Sequence, residues 1–256
     1  MFDTLTDLGF DLAATNHAEA ILTQDFPGEL AELESILAGF RISMPELVGG
    51  GGGESGQTQR LRRALDRSGW RKHNFAVQTI VDGVVREAIS HEIDHVKRGG
   101  AGVLALEIEW NNKDPFFDRD LENFQRLHAQ SAISLGVIVT RGASMQEGFR
   151  ERITDWLRAH DLSSEGDLER LGIGDRTARQ KAKVAAQVAR GVPFHEAFAS
   201  FFVQDKFGPS TTHWAKLEDR VRRGVGNPCP LVLIGMPLGI LSDLAPEEEA
   251  AEARLL

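Results

Sequence analysis

Val103-Leu104-Ala105-Leu106-Glu107-Ile108-Glu109-Trp110 is the stretch around which the rest of this 256-residue chain is read. Its apolar, β-branched-containing run predicts a strand, preceded by the turn-forming Arg98-Gly99-Gly100-Ala101-Gly102. Side chains two apart on a strand share a face, so Glu107 and Glu109 point together while Leu106, Ile108 and Trp110 point into the core. Upstream, Ala76–Ile80 and Val84–Ile89 read as two more strands joined by the turn pair Asp82-Gly83. The glycines between Asp94 and Glu107 can fold the chain back and set Asp94 on the strand beside Glu107. Three carboxylates, Asp94, Glu107 and Glu109, then converge at a sheet edge and repel one another unless a cation joins them. Oxygen ligands of this kind favour hard ions such as Mg²⁺, whose charge can offset that building on a phosphate. The competing reading is that Glu107 and Glu109 form the solvated face of an edge strand, and spacing alone does not separate the two.

A different chemistry competes for the same segment. His91-Glu92-Ile93-Asp94-His95 satisfies H-E-x-x-H, which on a helix puts two imidazoles on one face for zinc, with Glu92 as general base of a hydrolase. The charged Asp94 at an inner position and the strand-like flank at Val84–Ile89 weigh against it.

Further along, Asp118–Gln130 reads as a helix, Leu135–Thr140 as a buried strand and Leu231–Ile234 as the last core strand. His17–Gln24 and Gly28–Gly39 have helical spacing, Ser43–Gly53 is a loop ending in five glycines, and Gln146–Phe202 is helical, broken at Gly172-Ile173-Gly174 and Gly191-Val192-Pro193. This order of elements is an α/β layer architecture. With 41% hydrophobic and 26% charged residues, the chain suits one large globular domain, with or without a helical subdomain. The single cysteine, Cys229, excludes an intrachain disulfide and a cysteine zinc cluster. Prolines 228, 230 and 237 interrupt the longest apolar runs, none of which reaches the roughly 18 residues of a membrane span. No basic segment followed by an apolar core opens the chain, so a cytoplasmic protein is expected.

A net charge of −9 argues against a polyanionic partner until its distribution is considered. Residues 1–40 carry eight acids and no Lys or Arg, and residues from Asp243 onward carry five acids and one Arg, leaving the interior at +3. Two interior segments are basic. Thr58–Ser68 reads as an amphipathic helix with Leu61 and Leu65 inward and Arg60, Arg62, Arg63 and Arg67 largely outward. With the preceding glycines and Ser55, Gln57, Thr58 and Gln59, it offers N–H groups, hydroxyls and amides to phosphate oxygens, although no Walker A Lys follows. Ser210, Thr211, Thr212, His213 and Lys216, followed by Arg220, Arg222 and Arg223, likewise suit DNA hydrogen bonding. The plain alternatives are a linker before a solvated helix, and a Ser or Thr helix cap.

The string Glu107-Ile108-Glu109-Trp110-Asn111-Asn112-Lys113-Asp114-Pro115-Phe116-Phe117-Asp118-Arg119-Asp120-Leu121, with Ser90–Asp94, the 50–62 segment, Ser210–Lys216 and Cys229-Pro230-Leu231-Val232, resembles the BglII/BstYI-type type II restriction endonucleases. The resemblance covers residues 15–145 and 208–237. It implies a PD-(D/E)xK restriction-endonuclease-like core, a mixed β-sheet flanked by helices. Residues 1–145 and 206–256 would form the core, and 146–205 a helical insertion or subdomain. It also implies Mg²⁺, with Mn²⁺ able to substitute, and a homodimer cutting a short palindrome in double-stranded DNA to leave 5′-phosphate ends. A cognate DNA methyltransferase would be the functional partner. By the same resemblance Asp94 and Glu107 are the metal-binding acids, and Glu92 is a further ligand or an outer acid. Glu109 takes the position of the usual lysine, where BglII-type enzymes carry Gln, so either Glu109 or the metal alone activates water. Lys97 is expected to approach the site, and Asn111, Asn112 and Lys113 join the DNA-contacting set with Ser55, Gln57, Thr58, Gln59, Arg60, Arg63, Ser210, Thr211, Thr212, His213 and Lys216. A DNA-binding relative that no longer cleaves also fits the unusual Glu109. Leu168–Ala182 faintly resembles a helix-hairpin-helix turn, against an ordinary helical insertion with a Gly turn.

Overall fold

Six strands form one mixed sheet, and the computed structural model describes residues 1–49, 55–174 and 176–243 of the chain. In chain order the strands are β1 (Asp11–Thr15), β2 (Ile42–Ser43), β3 (Arg71–Val81), β4 (Val84–Gly99), β5 (Gly102–Glu109), β6 (Leu135–Arg141), β7 (Leu231–Met236) and β8 (Leu241–Ser242). The large sheet runs β1-β7-β6-β5-β4-β3, while β2 and β8 pair separately. The helices are α1 (Asp3–Asp7), α2 (Ala18–Asp25), α3 (Pro27–Ala38), α4 (Met44–Val48), α5 (Gly56–Arg67), α6 (Phe116–Ala129), α7 (Ala143–Ala159), α8 (Glu165–Arg170), α9 (Ala178–Val188), α10 (Phe194–Lys206) and α11 (Trp214–Arg222). The mixed β-sheet, flanked by helices, has the α/β layer form that the order of elements implied and is consistent with the restriction-endonuclease-like core that the resemblance implied.

The three central strands β5, β6 and β7 are parallel, and their side chains alternate between two hydrophobic layers. Leu104, Leu106, Val137, Val139, Val232 and Ile234 face one cluster, which also holds Leu33, Leu61, Phe149 and Phe198. Ala105, Ile138, Leu231 and Leu233 face the other, with Phe117, Leu121, Phe124 and Leu217. Helices α6 and α11 therefore cover one side, and α3, α5, α7 and α10 the other. Buried strands between two helical layers read as apolar runs, as Leu135–Val139 of β6 does; the whole strand, including Thr140 and Arg141 at its end, is buried. At Gly136 of β6 an added Cβ would run into the Phe124 ring, so the absence of a side chain lets α6 sit down on the sheet.

Several expectations need correction. β5 is an interior strand between β4 and β6, so Glu107 and Glu109 do not sit at a sheet edge and do not form a solvated face. The Ser43–Gly53 loop contains α4: Ser43 accepts a hydrogen bond from the Glu46 N–H, and Pro45 stands in the first turn. The glycines at 50–53 lie outside the described residues. Arg60 turns inward, its Nη2 2.6 Å from Glu46 Oε2 and its guanidinium over the Phe40 ring. β1, a segment the sequence reading left unassigned, pairs antiparallel with β7. Among the described residues no helix is long and apolar enough to cross a membrane.

Candidate active site

β4 and β5 bring the acids together through their register. His95 faces Leu106, so Asp94 falls beside Glu107, and the Asp94 N–H donates to Glu107 Oε1 at 3.3 Å. The β3–β4 ladder slips here: Arg71 faces Val96 and His73 faces Ile93, leaving an extra residue on β4 across the Asp94-His95 step. A bulge of this kind re-aims side chains. Asp94 remains half exposed, 3.7 Å from Lys72 Nζ, and the same ammonium lies 2.7 Å from Glu92 Oε1.

Glu107 and Glu109 are buried beneath α6, which adds a third carboxylate, Asp120, only 1% exposed. Burial, followed by the charges of Asp120 and Asp94, raises the Glu107 carboxyl well above the usual range. Burial and then Asp120 push Glu109 up to about 8, against the hydrogen bond from Asn112 and the charge of Arg119. Asp120 is also raised, chiefly by burial, and the Glu109 and Asp120 carboxyls act on each other electrostatically. Asn112 Nδ2 donates to Glu109 Oε2 at 2.9 Å, and Arg119 Nη2 lies 3.6 Å from Glu109 Oε1. Above these groups opens a cavity of about 530 Å³ lined by Glu92, Asp94, Glu107, Arg119, Asn123 and Arg126, among others.

Among the described residues no group of three or more His, Cys, Asp or Glu is spaced to hold a metal by itself. The donor chemistry nevertheless suits Mg²⁺, which binds through one or two carboxylates and completes its shell with water and substrate oxygens. Asp94 and Glu107 are such a pair, and Glu107 is a buried acid that makes no ion pair within 4 Å with a described residue.

The zinc reading fails on geometry. His91 and His95 lie on β4, not on a helix, so four residues separate them by roughly 13 Å along an extended strand. His95 is buried with neither ring nitrogen partnered, and burial lowers its pKa. Lys97 does not line the cavity: its Nζ sits 3.1 Å from Glu32 of α3 and hydrogen-bonds the Ser68 carbonyl.

Two DNA-contact segments predicted far apart in sequence meet at the C-terminal end of β5. The Asp114 N–H donates to Ser210 O at 3.0 Å, the Thr212 N–H donates to Asn112 O at 2.8 Å, and Lys113 pairs with Thr211. Arg141, fully buried at the end of β6, locks this junction from below. Its Nε donates to Trp110 O at 2.7 Å, and its Nη2 donates to Thr211 Oγ1 and Thr212 O at 2.6 and 2.5 Å. Burial pushes the Arg141 pKa down to about 9. His213, on the same junction, falls to about 4 through burial and the charges of Arg141 and Lys216. Asn111, Asn112 and Lys113 are exposed, whereas Thr212 is buried, and Lys216 pairs with Asp114 at 3.4 Å. Ser55, Gln57, Thr58, Gln59, Arg60 and Arg63 lie on or beside α5, on the far side of the sheet from the carboxylates; Gln57 is buried and Ser55 bonds Thr58 Oγ1 at 2.8 Å.

Sequence reading overlooked Lys72, Arg119 and Asp120. The signal for Asp120 was available: it stands three residues after Phe117 and four before Phe124, inside the apolar stripe of a helix, where an acid needs a reason.

The family model described as restriction endonuclease BglII/BglIII matches residues 10–236, a span from β1 to β7 that encloses the helices of 146–205. No curated protein matches the chain.

Proposed function

The chain belongs to the restriction endonuclease BglII/BglIII family and is a type II site-specific deoxyribonuclease; on that premise we propose that Asp94 and Glu107 hold Mg²⁺ and that a homodimer cuts a short palindromic duplex site. The observation that carries this reading is the juxtaposition of Asp94 and Glu107 on neighbouring strands, at an open cavity that both line. Mn²⁺ would satisfy the same oxygen donors. When bound, the cation supplies a Lewis acid for the phosphate and offsets the acids around it. A palindrome has two-fold symmetry, so a two-fold dimer presents one such cavity to each strand.

In this reading either Glu109, once ionised, takes the proton of the attacking water, or the metal alone activates it. As the new P–O bond forms, the bond to O3′ breaks and the departing oxygen takes a proton from solvent, giving a 3′-hydroxyl and a 5′-phosphate. The junction of residues 111–114 with 210–213 offers Asn111, Lys113 and neighbouring hydroxyls to DNA at the same end of β5, and Asn112 steadies Glu109. Glu92, tied to Lys72, acts as an outer acid or a further ligand. An enzyme of this kind would cut its host's own copies of the site, so a methyltransferase of the same specificity is the implied partner, and a DNA substrate suits the cytoplasm.

The test is Glu107→Ala. Mg²⁺-dependent nicking and linearisation of plasmid DNA should disappear while sequence-specific binding survives. Retained cutting would refute the site assignment, and specific binding without cutting by the unsubstituted protein would favour a relative that has lost cleavage.

A further inference from the structure

The wall of the cavity opposite Asp94 is built by α6 and carries cations. Arg126 pairs with Glu122 one turn away on the same helix. Lys72, on the strand side, is committed to Glu92 and Asp94. Arg119 is held differently. Its Nε and Nη2 each lie 2.8 Å from Asp120 Oδ1, and its guanidinium rests over the Phe116 ring at 4.4 Å. Asp120 is buried, while Arg119 is about half exposed and lines the cavity. The buried carboxylate thus aims the guanidinium from behind, and Nη1 hydrogen-bonds no described residue. The second Asp120 oxygen, Oδ2, is buried without a hydrogen-bond partner of its own.

The charge balance of the site gives this geometry a purpose. Position 109, where a PD-(D/E)xK site usually offers a lysine, carries an acid. Asp94 and Glu107 therefore line the cavity that a phosphodiester must enter, with Glu109 and Asp120 buried beside them, where further negative charge builds on the non-bridging oxygens. A planar guanidinium donates paired hydrogen bonds to such oxygens and stays protonated throughout.

Building on the endonuclease reading, we propose that Arg119 is a catalytic residue that donates hydrogen bonds to a non-bridging oxygen of the scissile phosphate, and that Asp120 is the positioning residue that aims it. The cation missing at position 109 is supplied from α6. Arg119 moves no proton, and its contribution is realised as charge develops during cleavage.

The competing explanation is structural: Arg119 merely neutralises Asp120 and Glu109. Arg119→Gln and the double variant R119Q/D120N separate the two. Both are compared with the unsubstituted full-length protein for single-turnover cleavage of a duplex in Mg²⁺ and for binding of that duplex without divalent cation. If Arg119 serves only to balance Asp120, neutralising both restores cleavage. If it acts on the phosphate, the single and the double variant both cleave slower by a factor on the order of 10³, as for other donors to a developing oxyanion or phosphoryl charge, with binding changed only a few-fold. Recovery of the double variant to within tenfold of the unsubstituted rate, or near-normal cleavage by R119Q, would overturn the proposal. Should R119Q lose its fold by circular dichroism, R119K keeps the charge but not the fork. It should fold and cleave at least tenfold slower, and a normal rate in R119K would equally overturn the proposal. A complete lack of cutting by the unsubstituted protein would instead overturn the endonuclease reading on which the proposal rests.

Discussion

Replacing Glu109 by Gln leaves the shape of the site intact and removes its capacity to carry charge. The amide oxygen can still accept from Asn112 Nδ2, and the amide nitrogen can donate to the unpartnered Asp120 Oδ2. The Glu109 carboxyl titrates near 4.5 in the unfolded chain and is pushed up to about 8 in the folded protein, by burial first and Asp120 second. As pH rises, the unfolded state loses this proton first. The stability the group contributes is therefore fully present below pH 4.5 and is lost as pH climbs through about 8. From pH 4.5 to 7 the window spans about 2.5 pH units, each costing about 1.4 kcal/mol, so the loss approaches about 3 kcal/mol. Urea unfolding without divalent cation should find Glu109→Gln and the unsubstituted protein equally stable near pH 4.5. At pH 7 the variant should be the more stable by about that amount. Glu107, raised in the same direction, leaves a residual slope in both proteins. Saturating Mg²⁺ should shrink the difference, because a cation favours ionised acids. A stability difference that stays constant from pH 4.5 to 8 would refute the reasoning.

Three further outcomes follow from the packing and the charges. Gly136→Ala drives a methyl group into the Phe124 ring and should lower stability by about 1–3 kcal/mol in denaturant titrations, whereas an unchanged midpoint would mean that α6 can lift without cost. Arg141→Ala leaves the Trp110 and Thr212 carbonyls without their donor. It should cost about 3 kcal/mol and speed amide exchange across 111–114 and 210–213. Lys113→Ala should reduce the slope of log affinity against log salt by about one for any duplex, leaving sequence preference intact, if it contacts a phosphate.

Much of this architecture was legible because period and turn chemistry agreed. The Asp82-Gly83 hairpin, the apolar runs Leu135–Val139 of β6 and Leu231–Met236 of β7, and the α6 stripe each carry one pattern with one physical reading. β1 escaped because Asp11–Thr15 is a five-residue edge strand in an acidic segment, and its identity comes from pairing with β7, far away in sequence. α4 was masked by the glycines that follow it, although Ser43 and Glu46 spell a helix start. Alternation and spacing put Asp94, Glu107 and Glu109 together without separating a site from a solvated face. That β5 lies inside the sheet was not legible, since a strand's neighbours are set by topology. Arg60 read as solvated because its partner, Glu46, sat in a presumed loop. Asp120 and Arg119 are hard to single out because charged residues on a helix ordinarily form its solvated face, and only the packing of α6 on the sheet buries Asp120.

The most direct measurement is to digest a mapped duplex DNA with the purified full-length chain in Mg²⁺, alongside Glu107→Ala, and to sequence both ends of every fragment. Discrete fragments whose ends all fall at one short palindrome and carry 5′-phosphates, absent from the Glu107→Ala digest, are the expected result. Uncut DNA, ends scattered without a common sequence, or identical fragments from the variant would contradict it.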